Sequence, residues 1–142
     1  MTASIKLDTT PDKADFEIIL NGLRAFNYSM VGPYKVEPIA ALIKNEAGET
    51  TGGAWGYTLL GWLFIEIFFV PEDLRGQGKG REVLTTLEQG AIARGCHSAW
   101  LDTYNPDAKR LYEKLGYADF GKLDPFHDGR GRFWMQKKLI AD

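Results

Sequence analysis

Disulfide chemistry is closed to this chain. Cys96 is its only cysteine, so no internal bridge can form, and a reducing cytoplasm is the expected compartment. Cys96 lies where helix gives way to strand and reads as a small buried hydrophobe rather than a nucleophile. Histidine is almost as scarce. His97 and His127 have no neighbouring ligand at metal-binding spacing, so no metal site is expected. Charge of one sign is missing too. A net charge of −2 gives no overall attraction to nucleic acid or to an anionic membrane. No apolar run approaches the roughly 20 residues that a bilayer-spanning helix needs. The opening Met1-Thr2-Ala3-Ser4-Ile5-Lys6 lacks the basic-then-apolar pattern of an export signal. Repeats, linkers and low-complexity stretches are absent.

What remains is ordinary globular material: 142 residues, 44% apolar and 25% charged. That length suits a single domain, residues 1–142, able to bury roughly 68% of its unfolded surface. Apolar residues at Phe16, Ile19, Leu20, Leu23 and Phe26 repeat with helical spacing and predict a helix over 12–26, with Pro11 before it. Residues 27–35 hold Gly32 and Pro33 and read as a loop. Strands are predicted at 36–44 and 53–60 around a turn at 45–49. A third strand, 62–70, is apolar on both faces and should be central in its sheet. A helix over 78–94 carries Val83, Leu84, Leu87 and Ala91 on one face and ends at Gly95. A short strand at 98–104 precedes a helix opened by Asn105-Pro106-Asp107 and stopped at Gly116. Final strands are expected at 117–121 and 133–139, with 124–131 as a long polar loop. Hairpins with two helices in crossover positions predict an α/β (α+β) domain with a mixed, mainly antiparallel sheet flanked by helices.

Arg75-Gly76-Gln77-Gly78-Lys79-Gly80 is the densest signal. It sits between the apolar strand and the amphipathic helix. Alternate glycines remove side chains that would hold a ligand off the backbone, and the helix aims its free N–H groups and positive dipole end at the same spot. Such a turn suits a diphosphate. Two common cradles do not fit. The dinucleotide fingerprint needs two residues between its second and third glycines, and here there is one. The nucleotide P-loop needs Lys then Ser or Thr after its last glycine, and Gly80 is followed by Arg81-Glu82. From the hexamer alone, a glycine-rich turn with no ligand stays open.

Arg75, Gly78 and Gly80 match the Arg/Gln-x-x-Gly-x-Gly/Ala signature of the Gcn5-related N-acetyltransferase (GNAT) family, which this segment resembles. The run from Asn105 to Tyr117 is similar to that family's Asn-x-x-Ala-x-x-x-Tyr-x-x-x-Gly-Phe/Tyr segment, and the apolar strand before the glycine loop also fits. The resemblance is specific from about residue 62 to 117. It implies a GNAT-type domain that uses acetyl-coenzyme A as acetyl donor and needs no metal.

The resemblance also implies roles. Strands 62–70 and 98–104 would part, and pantetheine would lie against Phe68-Phe69-Val70 like an added strand, where backbone N–H groups can polarise the thioester carbonyl. Gly76, Gln77, Gly78, Lys79 and Gly80 would hold the diphosphate, with Arg75 and Lys79 as phosphate partners or as solvated charges. Asn105 would touch the pantetheine arm or only cap its helix. Tyr112 matches the family tyrosine that gives a proton to the leaving sulfur; a buried packing tyrosine is the alternative. Glu66 is the lone carboxylate in an apolar strand, costly unless paired or solvated. It is a candidate base for the amine, with a structural ion pair as rival and His127 and Asp102 as weaker bases. Asn27, Tyr28 and Tyr34, with Trp55 and His127, are the acceptor-side candidates, while Trp100 reads as core.

The reaction implied is acetyl transfer to a primary amine on a small molecule. Acetylation of a protein or peptide lysine or N-terminus, and a non-catalytic coenzyme A-binding module, are the other readings. No nucleic-acid or membrane partner is expected, and the resemblance implies a possible homodimer, which an aromatic-rich surface would suit.

Overall fold

The computed structural model describes residues 2–141, which form two compact units dividing between Tyr34 and Lys35. The first unit is built on helix α1, Lys13–Val31. Asp12 caps it by accepting from the Asp15 N–H at 3.0 Å, a standard helix start. The helix runs further than the sequence suggested, taking in Asn27, Tyr28 and Ser29, which the sequence reading placed in a loop. None of these breaks a helix. The stop comes at Gly32, with φ of 81°, followed by Pro33.

The second unit holds a six-stranded sheet in the order β1-β2-β3-β4-β6-β5. Its elements are β1 (Glu37–Lys44), β2 (Thr50–Leu59), β3 (Trp62–Phe69), α2 (Lys79–Ala93), β4 (Ser98–Thr103), α3 (Pro106–Lys114), β5 (Ala118–His127) and β6 (Arg130–Lys138). A single 3₁₀ turn, Glu72–Leu74, joins β3 to the glycine loop. Only β3 and β4 pair in parallel; every other neighbour pair is antiparallel. The mixed, mainly antiparallel sheet expected from the sequence is therefore present.

The core lies between the sheet and the two helices. Leu63, Leu84, Leu87, Leu101 and Met135 are fully buried. The α2 stripe of Val83, Leu84, Leu87 and Ala91 is buried as its spacing predicted. Glu88 breaks the pattern. It is buried on the same helix, accepts from the Tyr117 hydroxyl at 2.7 Å and pairs with Lys137 at 2.8 Å. These contacts tie α2 to the sheet across its core face and satisfy a charge that would otherwise be costly to bury.

The chain's end differs from the sequence reading. Residues 124–131 are not a long loop, because β5 continues to His127 and β6 begins at Arg130. Asp128 and Gly129 turn between them with φ of 50° and 73°. An Asp-Gly pair with positive φ at both positions is the tight hairpin turn that suits twisted strands. That signal was present in the sequence and was overridden by local polarity.

Candidate active site

The site begins where β3 and β4 separate. Their parallel ladder pairs Trp62 with Ser98, Leu63 with Ala99 and Phe64 with Trp100, then ends. β3 continues to Phe69 and β4 to Thr103, so the β4-facing edge of residues 65–69 has no strand partner among the described residues.

A bulge shapes the same stretch. Trp55 pairs with Ile67 and Gly56 with Ile65, so Glu66 is the extra residue on β3. The alternation of side chains shifts there. Leu63 and Ile65 are buried, Glu66 and Ile67 are both exposed, and Phe68 turns back inward to lie 6.0 Å from the Tyr112 ring. The sequence had β3 apolar on both faces and central; it is central, but its far end is exposed. Glu66 makes no hydrogen bond or ion pair among the described residues, which removes the structural ion-pair reading. Trp55, half exposed, sits opposite the bulge.

The glycine loop follows. Gly76 and Gly78 adopt φ of 78° and 76°, and a Cβ on either would meet nothing within 4 Å. The backbone there is open to a ligand. Gly80 is different: a Cβ would come 3.0 Å from Leu111 and 3.2 Å from Phe68. This glycine lets α2 pack closely against α3 and β3 rather than clearing space for a phosphate. Gly78 heads α2 with no side-chain cap. The amides of Lys79, Gly80 and Arg81 therefore have no acceptor among the described residues, which is the anion-binding end of a helix.

Around this loop lies a cavity of about 700 Å³, lined by Phe68, Phe69, Val70, Arg75, Gly76, Gly78, Lys79, Gly80, Asn105, Ala108, Leu111 and Lys114 among others. Its lining is basic at Arg75, Lys79, Arg81 and Lys114 and apolar at Phe68, Val70 and Leu111, which suits a molecule with an anionic head and an apolar arm. Arg75 Nε also donates to the Val70 carbonyl at 3.0 Å, bracing the turn. Gln77 lies outside the lining and donates back to the Asp73 carbonyl at 3.0 Å. Lys79 pairs with Glu82 at 3.3 Å. Asn105 caps α3, accepting from the Asp107 N–H at 2.9 Å, so its Oδ1 is committed to the helix.

Tyr112 is buried on α3, and its phenol is pushed up to about 12, chiefly by burial and then by the nearby negative charge of Asp102. Its hydroxyl has no hydrogen-bond partner among the described residues. No buried polar side-chain atom among them is left unpaired, so the hydroxyl reaches accessible space. Tyr117 packs edge-on to it at 6.0 Å, and its own phenol is raised by burial and by the Glu88 carboxylate.

The second face of the sheet is aromatic. Phe64 stacks on Trp100 at 4.1 Å and meets Tyr57 at 5.1 Å. Trp100 is thus not in the core, as the sequence suggested; with Trp62, Phe120, Trp134 and Gln136 it lines a hollow of about 430 Å³. Asp102 is held by Arg132, whose Nε donates at 2.7 Å. Sequence reasoning missed Arg132, because nothing local marks an arginine as facing a carboxylate thirty residues away.

Three of the acceptor-side candidates meet one another. Asn27 donates to the Tyr34 hydroxyl at 3.2 Å, Tyr28 donates to the Tyr34 carbonyl at 3.2 Å, and the two tyrosine rings meet edge-on at 4.8 Å. That cluster belongs to the first unit. His127 is exposed at the tip of the β5–β6 hairpin. No group of three or more His, Cys, Asp or Glu that could hold a metal occurs among the described residues, and no helix there is long and apolar enough to cross a membrane.

Comparison with known proteins agrees with this geometry. An acetyltransferase, Atu2258, from Agrobacterium fabrum (strain C58) is 38% identical over 131 residues, spanning 90% of this chain and 96% of that protein. Blasticidin-S acetyltransferase from Streptomyces morookaense is 29% identical over 105 residues, 73% of this chain and 77% of that one. A crystal structure assigned as an acetyltransferase from Agrobacterium tumefaciens superposes with a TM-score of 0.91 at 35% identity, covering 96% of this chain and 99% of that one. The profile of the Acetyltransferase (GNAT) family matches residues 19–117, a stretch that includes β3, the glycine loop and α3, and the chain belongs to that family.

Proposed function

We propose that residues 1–142 act as one domain that transfers the acetyl group of acetyl-coenzyme A to a primary amine on a small molecule. The observation that carries this reading is the cavity lined together by the unpaired end of β3, the glycine loop and α3. Acetyl-coenzyme A would supply the acetyl group as an activated thioester and leave as coenzyme A. The free amides at the head of α2, with Arg75 and Lys79, bind its diphosphate. Backbone groups of Phe68, Phe69 and Val70 hold the pantetheine arm as an added strand and polarise the carbonyl.

Tyr112 donates a hydrogen bond from its hydroxyl to the leaving sulfur as negative charge develops there. Glu66 removes a proton from the amine, directly or through water, since only the free amine attacks. Its carboxylate is exposed beside the opened strands and has no competing partner among the described residues. Asp102 is a poorer base, because its carboxylate is already engaged by Arg132. The aromatic face and the similarity to a blasticidin-S acetyltransferase favour a small acceptor over a peptide.

The test is coenzyme A release measured across amines, antibiotics, polyamines and lysine peptides. Release with at least one small amine is expected. Response to lysine peptides alone would move the assignment to peptide acetylation. No change in melting temperature with either coenzyme A or acetyl-coenzyme A would remove the cofactor reading itself.

A further inference from the structure

The position of Arg132 relative to Glu66 goes unused by acetyl transfer alone. In the parallel register of β3 and β4, Trp62 faces Ser98 and Phe64 faces Trp100. The same offset carries Glu66 to the level of Asp102, across the gap where the ladder has ended. Asp102 does not present a free charge, because Arg132 on β6 binds it through Nε and Nη2. Both nitrogens go to one carboxylate oxygen. The Nη1 protons of Arg132 have no acceptor among the described residues.

Two aromatic rings also lie beside Arg132. Its guanidinium lies 5.2 Å from the Phe126 ring and 5.2 Å from the Trp134 ring, and Phe126 in turn rests 5.3 Å from Tyr104. One carboxylate and two aromatic faces fix the orientation of a side chain that is still about one-third exposed. A planar donor held this way loses little further freedom on binding an anion, and a carboxylate is its natural geometric match. Asp102 thus sets the direction of the fork, and the unused edge of the fork points away from it.

We propose that Arg132 is a specificity residue that binds a carboxylate of the acceptor, so that the preferred acceptors are amino acids or aminoacyl compounds carrying both a free primary amine and a carboxylate. The amine sits toward Glu66 and the carboxylate toward Arg132, so the two ends of a zwitterion meet opposite charges on either side of the gap. This proposal rests on the amine-acetylation reading above and names the acceptor class within it. Arg132 touches no reacting atom; its contribution is to acceptor binding.

The test compares acceptors matched in their amine and differing in one group: lysine against lysinamide, and β-alanine against β-alaninamide. In the wild type the carboxylate member of each pair is expected to have kcat/KM about 10- to 100-fold higher, expressed mainly in KM, as for loss of a hydrogen bond to a charged group. In Arg132→Met that preference collapses, the carboxylate member of each pair losing far more than its carboxamide; Arg132→Lys keeps part of it. A second readout needs no turnover. Titration with acetate, in the presence of coenzyme A, is followed through the side-chain nitrogen resonances of Arg132 and through tryptophan fluorescence, to which Trp134 contributes with Trp55, Trp62 and Trp100. A saturable response is expected in the wild type and none in Arg132→Met, each variant first being shown folded by circular dichroism. Amines acetylated without preference for carboxylates would overturn the Arg132 proposal and leave amine acetylation standing. No amine acetylated, with a saturable Arg132 response, would overturn amine acetylation and keep the anion site. No acetate response would overturn the proposal whatever the turnover.

Discussion

Replacing Tyr112 with Phe isolates one atom. The hydroxyl has no hydrogen-bond partner among the described residues, so its loss strands no donor or acceptor elsewhere, and folded stability near neutral pH should change by under about 0.5 kcal/mol. The effect on chemistry should be larger. With the phenol near 12, complete proton transfer to a thiolate of ordinary pKa, about 8.5, is uphill by about 3.5 units, or about 5 kcal/mol. Tyr112 therefore acts best by donating a hydrogen bond to sulfur as charge develops, without fully surrendering its proton. A hydrogen bond to a charged group contributes about 1.5–3 kcal/mol, so kcat should fall about 10- to 150-fold. The assay is single-turnover acetyl transfer, with coenzyme A binding measured separately and expected to be unchanged. The pH arm has a definite sign. The folded pKa lies above the unfolded value of about 10, so the stability linked to this group is complete below pH 10 and is lost as pH rises toward 12. That loss is about 2–3 kcal/mol on the linkage relation. Tyr112→Phe should accordingly melt at a higher temperature than wild type above pH 10, and at the same temperature at pH 7. Unchanged single-turnover rates in the variant would refute the donor role and leave Tyr112 as packing alone.

Other outcomes follow from neighbouring residues. Gly78→Asp places a carboxylate at the head of α2 and a side chain at φ of 76°; it should abolish the roughly 2.7 kcal/mol of stabilisation that coenzyme A provides at 100 times its Kd, as read by thermal melts with and without ligand. Glu66→Gln should lower the rate most at low pH, where few amines are already free, with partial recovery as pH rises; a uniform loss at every pH would point away from a base. Glu88→Ala strips the partner from Lys137 and from the Tyr117 hydroxyl and should cost about 3 kcal/mol in denaturant unfolding, while coenzyme A affinity per folded molecule is retained.

The elements with strong periodicity were legible. The α2 stripe reads directly from Val83, Leu84, Leu87 and Ala91, because helical spacing and burial coincide there. The glycine loop was legible as a ligand turn, but not the division of labour within it, since Gly80 is required by Leu111 and Phe68, which arrive from other elements. The burial of Glu88 is not legible for a similar reason: a polar residue argues for the surface, and its partners at Tyr117 and Lys137 lie far along the chain. The β5–β6 hairpin was missed because a polar, proline-bearing stretch outweighed the Asp128-Gly129 turn. Arg132 could not be found at all from local sequence, since its meaning comes only from sheet register.

The bulge at Glu66 works as a change of parity. Upstream of it, odd-numbered positions of β3 face the helices; downstream, even-numbered ones do, so Phe68 can reach Tyr112 while Leu63 and Ile65 remain in the core. Straightening the strand with every residue kept would restore an unbroken alternation, turn Ile67 inward and drive Phe68 away from α3. The spacing of the segment therefore carries as much information as the identity of its residues. A relative could exchange the glutamate for another polar side chain and keep this arrangement, whereas one that paired every position of the strand would turn Phe68 away from α3.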